Sequence, residues 1–205
     1  MSRLKRSRPS CPASRRRHRR RVRPTGAPDY AEPIVGWRGW FVVASGERFR
    51  LCSPIYRTVW LPRRATVARC ERHGDWWRPA PPPLHAAPQA DCECGLYASS
   101  SVKAAASFVR GRGSPREAIG AIIGRVFLWG RVVECEHGWR AARAYPAQLY
   151  LPLGRHGRLS FLASRVPHAE ELALALRAYG VPVELVACAS LGKLARLLER
   201  EHGEA

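Results

Sequence analysis

The sequence predicts an α+β protein: a mainly antiparallel β domain with an inserted Cys/His loop and a short C-terminal βαβα unit. Three observations predict it. Runs of β-branched and aromatic residues, broken by Gly and Pro, fill residues 34–61 and 121–152. Between them lies a stretch unlike a strand or a helix, CERHGDWWRPAPPPLHAAPQADCECGLYA (70–98), with three cysteines, two histidines and a proline cluster. Beyond Gly154 the texture changes to short apolar runs alternating with helical periodicity. The organisation expected is a disordered Arg-rich arm over 1–29, a β-rich domain over 30–153 carrying the loop 70–98, and the βαβα unit over 154–205.

In chain order, residues 1–29 offer almost no apolar surface to offset the entropy of ordering. Strands follow at 34–44, 47–52 and 55–61, separated by Ser45-Gly46 and Ser53-Pro54. In the second, Phe49 and Leu51 alternate with Arg48 and Arg50, the pattern of one dry and one wet face. ATVARC (65–70) is a short strand that delivers Cys70 to the loop. The prolines from Pro79 to Pro83 form a stiff extended linker. Ser99 to Ser101 cap a helix whose Val102, Ala105, Ala106 and Val109 share a face and which Gly111 ends. Ser114-Pro115 opens a second turn of helix, and then 121–135 and 139–152 pair as a hairpin around Glu136-His137-Gly138.

The last unit reads RLSFLAS (158–164) as a strand, a helix from Pro167 to Gly180, a strand over VPVELVAC and a helix capped by Ser190, with Leu191, Leu194, Leu197 and Leu198 on one face. Two parallel strands joined by a right-handed crossover would follow from that order.

The formal net charge is +19, and residues 1–30 carry eleven Lys and Arg against one acid, Asp29. Such a segment predicts a polyanionic partner, nucleic acid above all, contacted through Arg15, Arg16, Arg17, Arg19, Arg20 and Arg21. A competing cause is base composition, since only three of the 35 basic residues are lysines. No apolar run reaches the length of a membrane span, and the N-terminus has no apolar core of a secretory signal, so a cytoplasmic protein with reduced thiols is expected.

Reduced thiols clustered with histidines point to metal. Cys92 and Cys94, two apart, emerge on one face of an extended backbone, poorly placed for a mutual disulfide and well placed to hold one ion as thiolates. Gly95 lets the chain turn tightly beside them. Cys70 and His85 complete a tetrahedral set, with His73 the rival for the histidine position. Four protein ligands make a structural zinc site. Three with a bound water would instead suggest hydrolysis, with Glu71, Asp75 or Glu93 as base. The bland alternative makes Cys70 a buried strand thiol and His85 a loop residue.

Two strings, HAAPQADCECGLYA and GRVFLWGRVVECEHGWRAARAYPAQLY, resemble a family of uncharacterised, mainly actinobacterial and phage-associated proteins that share an H-x-A-P…C-x-C-G-[IL]-Y-A element and an L-W-G-x-V-x-E…G-[YW]-R-A hairpin. The resemblance spans about 33–152, implies a shared fold without an activity, and matches His85, Cys92 and Cys94 to recurrent positions.

Other chemistry is weaker. Cys135 and His137 share a strand face but lack an orienting third group, which makes Cys135 a core thiol with Glu134 and Glu136 on the solvent side. Seven tryptophans interleaved with arginines can either stack bases or fill a small barrel with arginines outside; Trp60 and Trp129 are assigned to the core, and Trp76 and Trp77 stay open. No P-loop, GxGxxG, GxSxG or HExxH occurs, which disfavours common nucleotide hydrolases, α/β-hydrolases and zinc proteases. The function expected is a zinc-stabilised binding or regulatory module that meets nucleic acid through its basic arm. The alternatives are an enzyme acting on a small molecule or nucleotide near the loop and His137, and a protein-interaction or assembly component.

Overall fold

The computed structural model describes residues 32–46, 48–70, 85–153 and 169–202. β1 (Ile34–Ser45) has apolar residues on both faces, because Trp40 and Val42 enter one apolar cluster while Phe41 and Val43 enter another. Gly46, at φ +60°, turns the chain into β2 (Arg48–Cys52), which pairs antiparallel with β1 from Ser45↔Arg48 to Phe41↔Cys52. β3 is only Val59–Trp60, shorter than the strand expected over 55–61, because residues 54–56 turn and Arg57 adopts φ +50° before the chain extends. β4 (Thr66–Val67) leads to Cys70, and β5 (Leu96–Ser99) leads out of the loop.

α1 (Val102–Arg110) starts where Ser101 Oγ accepts the Ala104 N–H, and it buries the four residues expected. The segment after Ser114 forms a turn, not a helix: the Ala118 N–H bonds the Pro115 carbonyl and β6 begins at once. β6 (Ala118–Cys135) and β7 (Gly138–Leu153) are the long hairpin, with register shifts at Arg125/Val126 and between Trp129 and Val132, where Gly130 takes φ +76°.

The hairpin's length lets β7 serve several neighbours. Its start pairs with β5, its middle with β4, and its end runs parallel to β8 (Val183–Ala187). β1 pairs with β6, β6 with β7, β7 with β5, and β5 touches β1 at Trp37↔Ser99, so these pairings close a ring. All contacts in the eight-stranded sheet are antiparallel except β7 with β8. The strand expected over 158–164 and the helix start at Pro167 lie outside the described residues. β8 instead finds its parallel partner in β7.

The inner cluster centres on Trp40 and Trp60, packed edge to face at 5.4 Å, and is covered by α2 (Ala169–Leu176) and the 3-10 turn Arg177–Tyr179. The outer cluster lies beneath α1 and α3 (Leu191–His202). Ser190 Oγ accepts the Lys193 N–H as the cap of α3. Leu197 departs from expectation: it is 41% exposed, because the buried stripe of α3 runs through Leu191, Leu194 and Leu198. Trp129 is half-buried beside the bulge and is not a core residue.

The arginines expected outside the barrel are a larger correction. Arg38 and Arg140 are buried. Arg38 donates to the Tyr97 carbonyl and to Ser53 Oγ at 2.9 Å, and its guanidinium lies 5.0 Å from the Trp60 ring centre. Burial lowers it to about 10, which leaves it charged at neutral pH.

Two tyrosines fasten the C-terminal unit to the barrel edge. Tyr179 Oη accepts the Leu51 N–H at 3.0 Å and donates to the Trp60 carbonyl at 2.6 Å; Tyr145 Oη accepts the Arg63 N–H and donates to the Tyr179 carbonyl. Tyr179→Phe would leave buried backbone groups of β2 and β3 unpaired, so an expected loss of about 1–3 kcal/mol should appear in thermal unfolding as a Tm lower by roughly 2–4 °C per kcal/mol. An unchanged Tm would mean that the two strand edges do not depend on this hydroxyl.

Candidate metal centre

Cys70, His85, Cys92 and Cys94 arrive at one point from two directions. Cys70 follows β4, which is held to β7 by Thr66↔Ala144 and by the Ala68 N–H on the Ala142 carbonyl. The other three precede β5, which is held to the start of the same strand. A turn that closes with the Cys92 N–H on the Gln89 carbonyl presents Cys92 and Cys94. Gly95 then reverses the chain at φ +130°. A Cβ there would sit 3.0 Å from Arg140 Cβ and 3.1 Å from Pro88 Cβ, so both conformation and space require glycine.

The four donor atoms all lie within 4.8 Å of one another. Cys70 Sγ is 3.8 Å from Cys92 Sγ and 3.2 Å from His85 Nε2, and Cys94 Sγ is 4.0 Å from His85 Nδ1. Tetrahedral bonds of about 2.3 Å to sulfur place two sulfurs about 3.8 Å apart, so the donor cage has the size of a four-coordinate site. His85 Nδ1 also lies 3.3 Å from the Ala86 carbonyl, an arrangement that favours Nε2 as the metal-binding nitrogen. Cys70 and Cys94 are buried, while Cys92 and His85 are half-buried. Burial, opposed by a bond from the Gln89 backbone and reinforced by the Cys92 and Cys70 thiols, pushes Cys94 up to about 11. Burial also raises Cys92, but hydrogen bonds from the Cys94 backbone and from the Cys94, His85 and Cys70 side chains outweigh it and bring this thiol down to about 7. A cation at the centre would draw all three into the thiolate form.

Arg140 is the residue that sequence reasoning missed. It is 2% exposed, and Nη1 donates to the carbonyls of Gln89 (3.3 Å), Cys92 and Cys94 (3.0 Å) while Nη2 reaches that of Ala90 (3.5 Å). Its Nε points to Cys135 Sγ at 3.4 Å. The guanidinium thus gathers the carbonyls of the cysteine turn and brings one buried positive charge against the backbone that carries Cys92 and Cys94. The signal in the sequence is faint: an arginine followed by two alanines, Ala141 and Ala142, in a strand beyond the loop.

No protein-family model, no curated protein and no solved structure matches this chain. The functional reading therefore rests on the site itself.

The remaining candidates fare differently. His73, Glu71, Asp75, Trp76 and Trp77, and the arginines Arg15, Arg16, Arg17, Arg19, Arg20 and Arg21, lie outside the described residues. Cys135 is half-buried and bonded to Arg140 instead of sitting in the core. No hydrogen bond joins it to His137, which is exposed and 3.7 Å from Glu136, so no Cys–His pair forms. Glu134 and Glu136 face solvent as expected. Among the described residues no helix is long and apolar enough to cross a membrane.

Proposed function

We propose that this protein is a zinc-stabilised binding module, in which Cys70, His85, Cys92 and Cys94 hold a structural zinc and the Arg-rich N-terminal segment contacts nucleic acid without sequence specificity. The observation that carries the first half is the convergence of four donors within 4.8 Å. Three sulfurs and one imidazole suit zinc, and four protein ligands leave no position for a substrate or an activated water. A divalent ion with three thiolates and a neutral imidazole carries one net negative charge, which the buried Arg140 offsets. The ion holds in place a proline-rich loop too poor in apolar residues to make a core of its own.

The charge distribution supports the second half, with eleven basic residues against one acid over residues 1–30. Contacts of that kind go to phosphates, set affinity, and are strongly salt-dependent. In a titration of a duplex oligonucleotide against salt, replacing Arg15, Arg16, Arg17, Arg19, Arg20 and Arg21 by glutamine should make the slope of log K on log salt shallower by up to about five, at roughly 0.9 per lost phosphate contact. Binding that ignores salt, or a slope that survives the six substitutions, would remove nucleic acid as the partner of this segment.

A further inference from the structure

Between β1, β5, α1 and the β6–β7 turn lies a cavity of about 240 Å³ that none of the four metal-centre residues lines. Its walls include four aromatic residues, Trp37, Tyr97, Phe108 and Trp139. α1 contributes Ala104 and Ala105, whose small side chains leave the space open. The helix comes this close because β1 carries Gly39 there: a Cβ at that position would lie 2.0 Å from Val109 Cγ2.

Three of the rings are braced by guanidiniums. Arg125 lies 5.9 Å from the centre of Trp37, Arg112 4.9 Å from Phe108 and Arg140 6.0 Å from Tyr97, and none of the three arginines lines the cavity. Tyr97 is also tied to the metal loop through its hydroxyl, which donates to the Glu93 carbonyl between the two cysteines. The polar lining is short: the buried Arg38, Ser99, Cys135, and the exposed Glu136 and His137.

We infer that this cavity binds a single nucleobase. It is slightly smaller than the roughly 300–1,000 Å³ of drug-sized sites, which suits one ring system. Aromatic walls stack on the π-face of any base. A carboxylate, an imidazole and a hydroxyl are the groups that address a base's hydrogen-bonding edge, a carboxylate accepting from an exocyclic amino group such as that of cytosine. A base stacked within a duplex cannot enter, so the source is either an unpaired base in a single strand or a free nucleotide. The inference deepens the nucleic-acid reading and rests on it only for the choice between those two sources.

The test uses full-length, metal-loaded protein and tryptophan fluorescence, titrated with cytidine monophosphate, a ten-nucleotide single strand containing cytidine, and the corresponding duplex. Quenching by the single strand or the mononucleotide is expected. Ala104→Leu, which fills the cavity from a half-buried helical position with a good helix former, should weaken that binding about tenfold or more, the loss of one stacked base. Phe108→Ala, which removes a wall, should do the same, and both variants should keep their metal content, circular dichroism and duplex affinity. At a salt concentration that abolishes duplex binding, tighter binding of the strand than of the mononucleotide assigns the base to nucleic acid; equal binding assigns it to a free nucleotide. No quenching by either, or affinities unchanged in both variants, overturns the inference. Loss of salt-dependent duplex binding would overturn only the reading of the basic segment, because mononucleotide binding does not need that segment.

Discussion

Cys92→Ser is expected to abolish the metal centre: zinc measured by plasma mass spectrometry should fall from about one per chain to near zero, since four protein ligands are needed to close the site. Serine's hydroxyl is a poor substitute for a thiolate, and the remaining Cys70, His85 and Cys94 would leave the ion open to water and chelators. Because the binding free energy of a structural zinc is in effect folding free energy, the segment 85–95 should lose protection in hydrogen exchange, while β6 and β7, which pair with each other over most of their length, keep theirs. Cys188→Ser supplies the contrast. That thiol is buried beside α3 in the outer cluster, outside the donor set, and its replacement should leave the zinc content unchanged. One zinc per chain retained in Cys92→Ser would show that the centre is not built from these four residues.

The second large effect is expected at Arg140. Methionine there fills similar space but removes the donors that satisfy the carbonyls of Gln89, Ala90, Cys92 and Cys94 and the charge that offsets the thiolates. Leaving a buried carbonyl without its donor typically costs about 1–3 kcal/mol, and at roughly 2–4 °C per kcal/mol the fall in Tm should be plain in a thermal scan. Chelator competition should show weaker zinc retention in the same variant. Arg140→Lys keeps the charge without the fork of donors and should recover only part of the loss. If Arg140→Met matches the parent in both Tm and zinc retention, the guanidinium does not organise the cysteine turn. Since Arg140 and Cys92 act on one unit, their combined substitution should cost less than the sum of the two.

The elements that could be read from the chain are those specified locally. Ser101 and Ser190 cap their helices because a side-chain oxygen three residues before an amide is a short-range arrangement. The β6–β7 hairpin was readable from two apolar runs flanking a three-residue turn signal, although its strands extend further than expected, to Ala118 and Leu153. β3 was overestimated because Arg57 takes a left-handed conformation that its residue type does not announce. The candidate metal residues were legible because Cys-x-Cys followed by glycine is a local pattern, Cys70 comes off the end of a strand, and His85 lies seven residues before Cys92. Spacing left His73 as the rival of His85, and only the structure brings Cys70, His85, Cys92 and Cys94 together.

What residue types and short-range spacing decide for this protein is therefore its α+β class, its helix caps, its hairpin and the Cys-x-Cys pair of its candidate metal centre. The closing of the ring at Trp37↔Ser99, the sharing of β7 among β5, β4 and β8, and the interior position of two arginines were decided by tertiary structure. The reason is physical. A guanidinium leaves water only where several acceptors converge on it, and those of Arg140 come from residues 46 to 51 positions away in the chain. Read as neighbours, Trp139 and Arg140 resemble an outward-facing surface pair; once β5 and the cysteine turn lie across β7, the arginine becomes the polar core of the loop it holds.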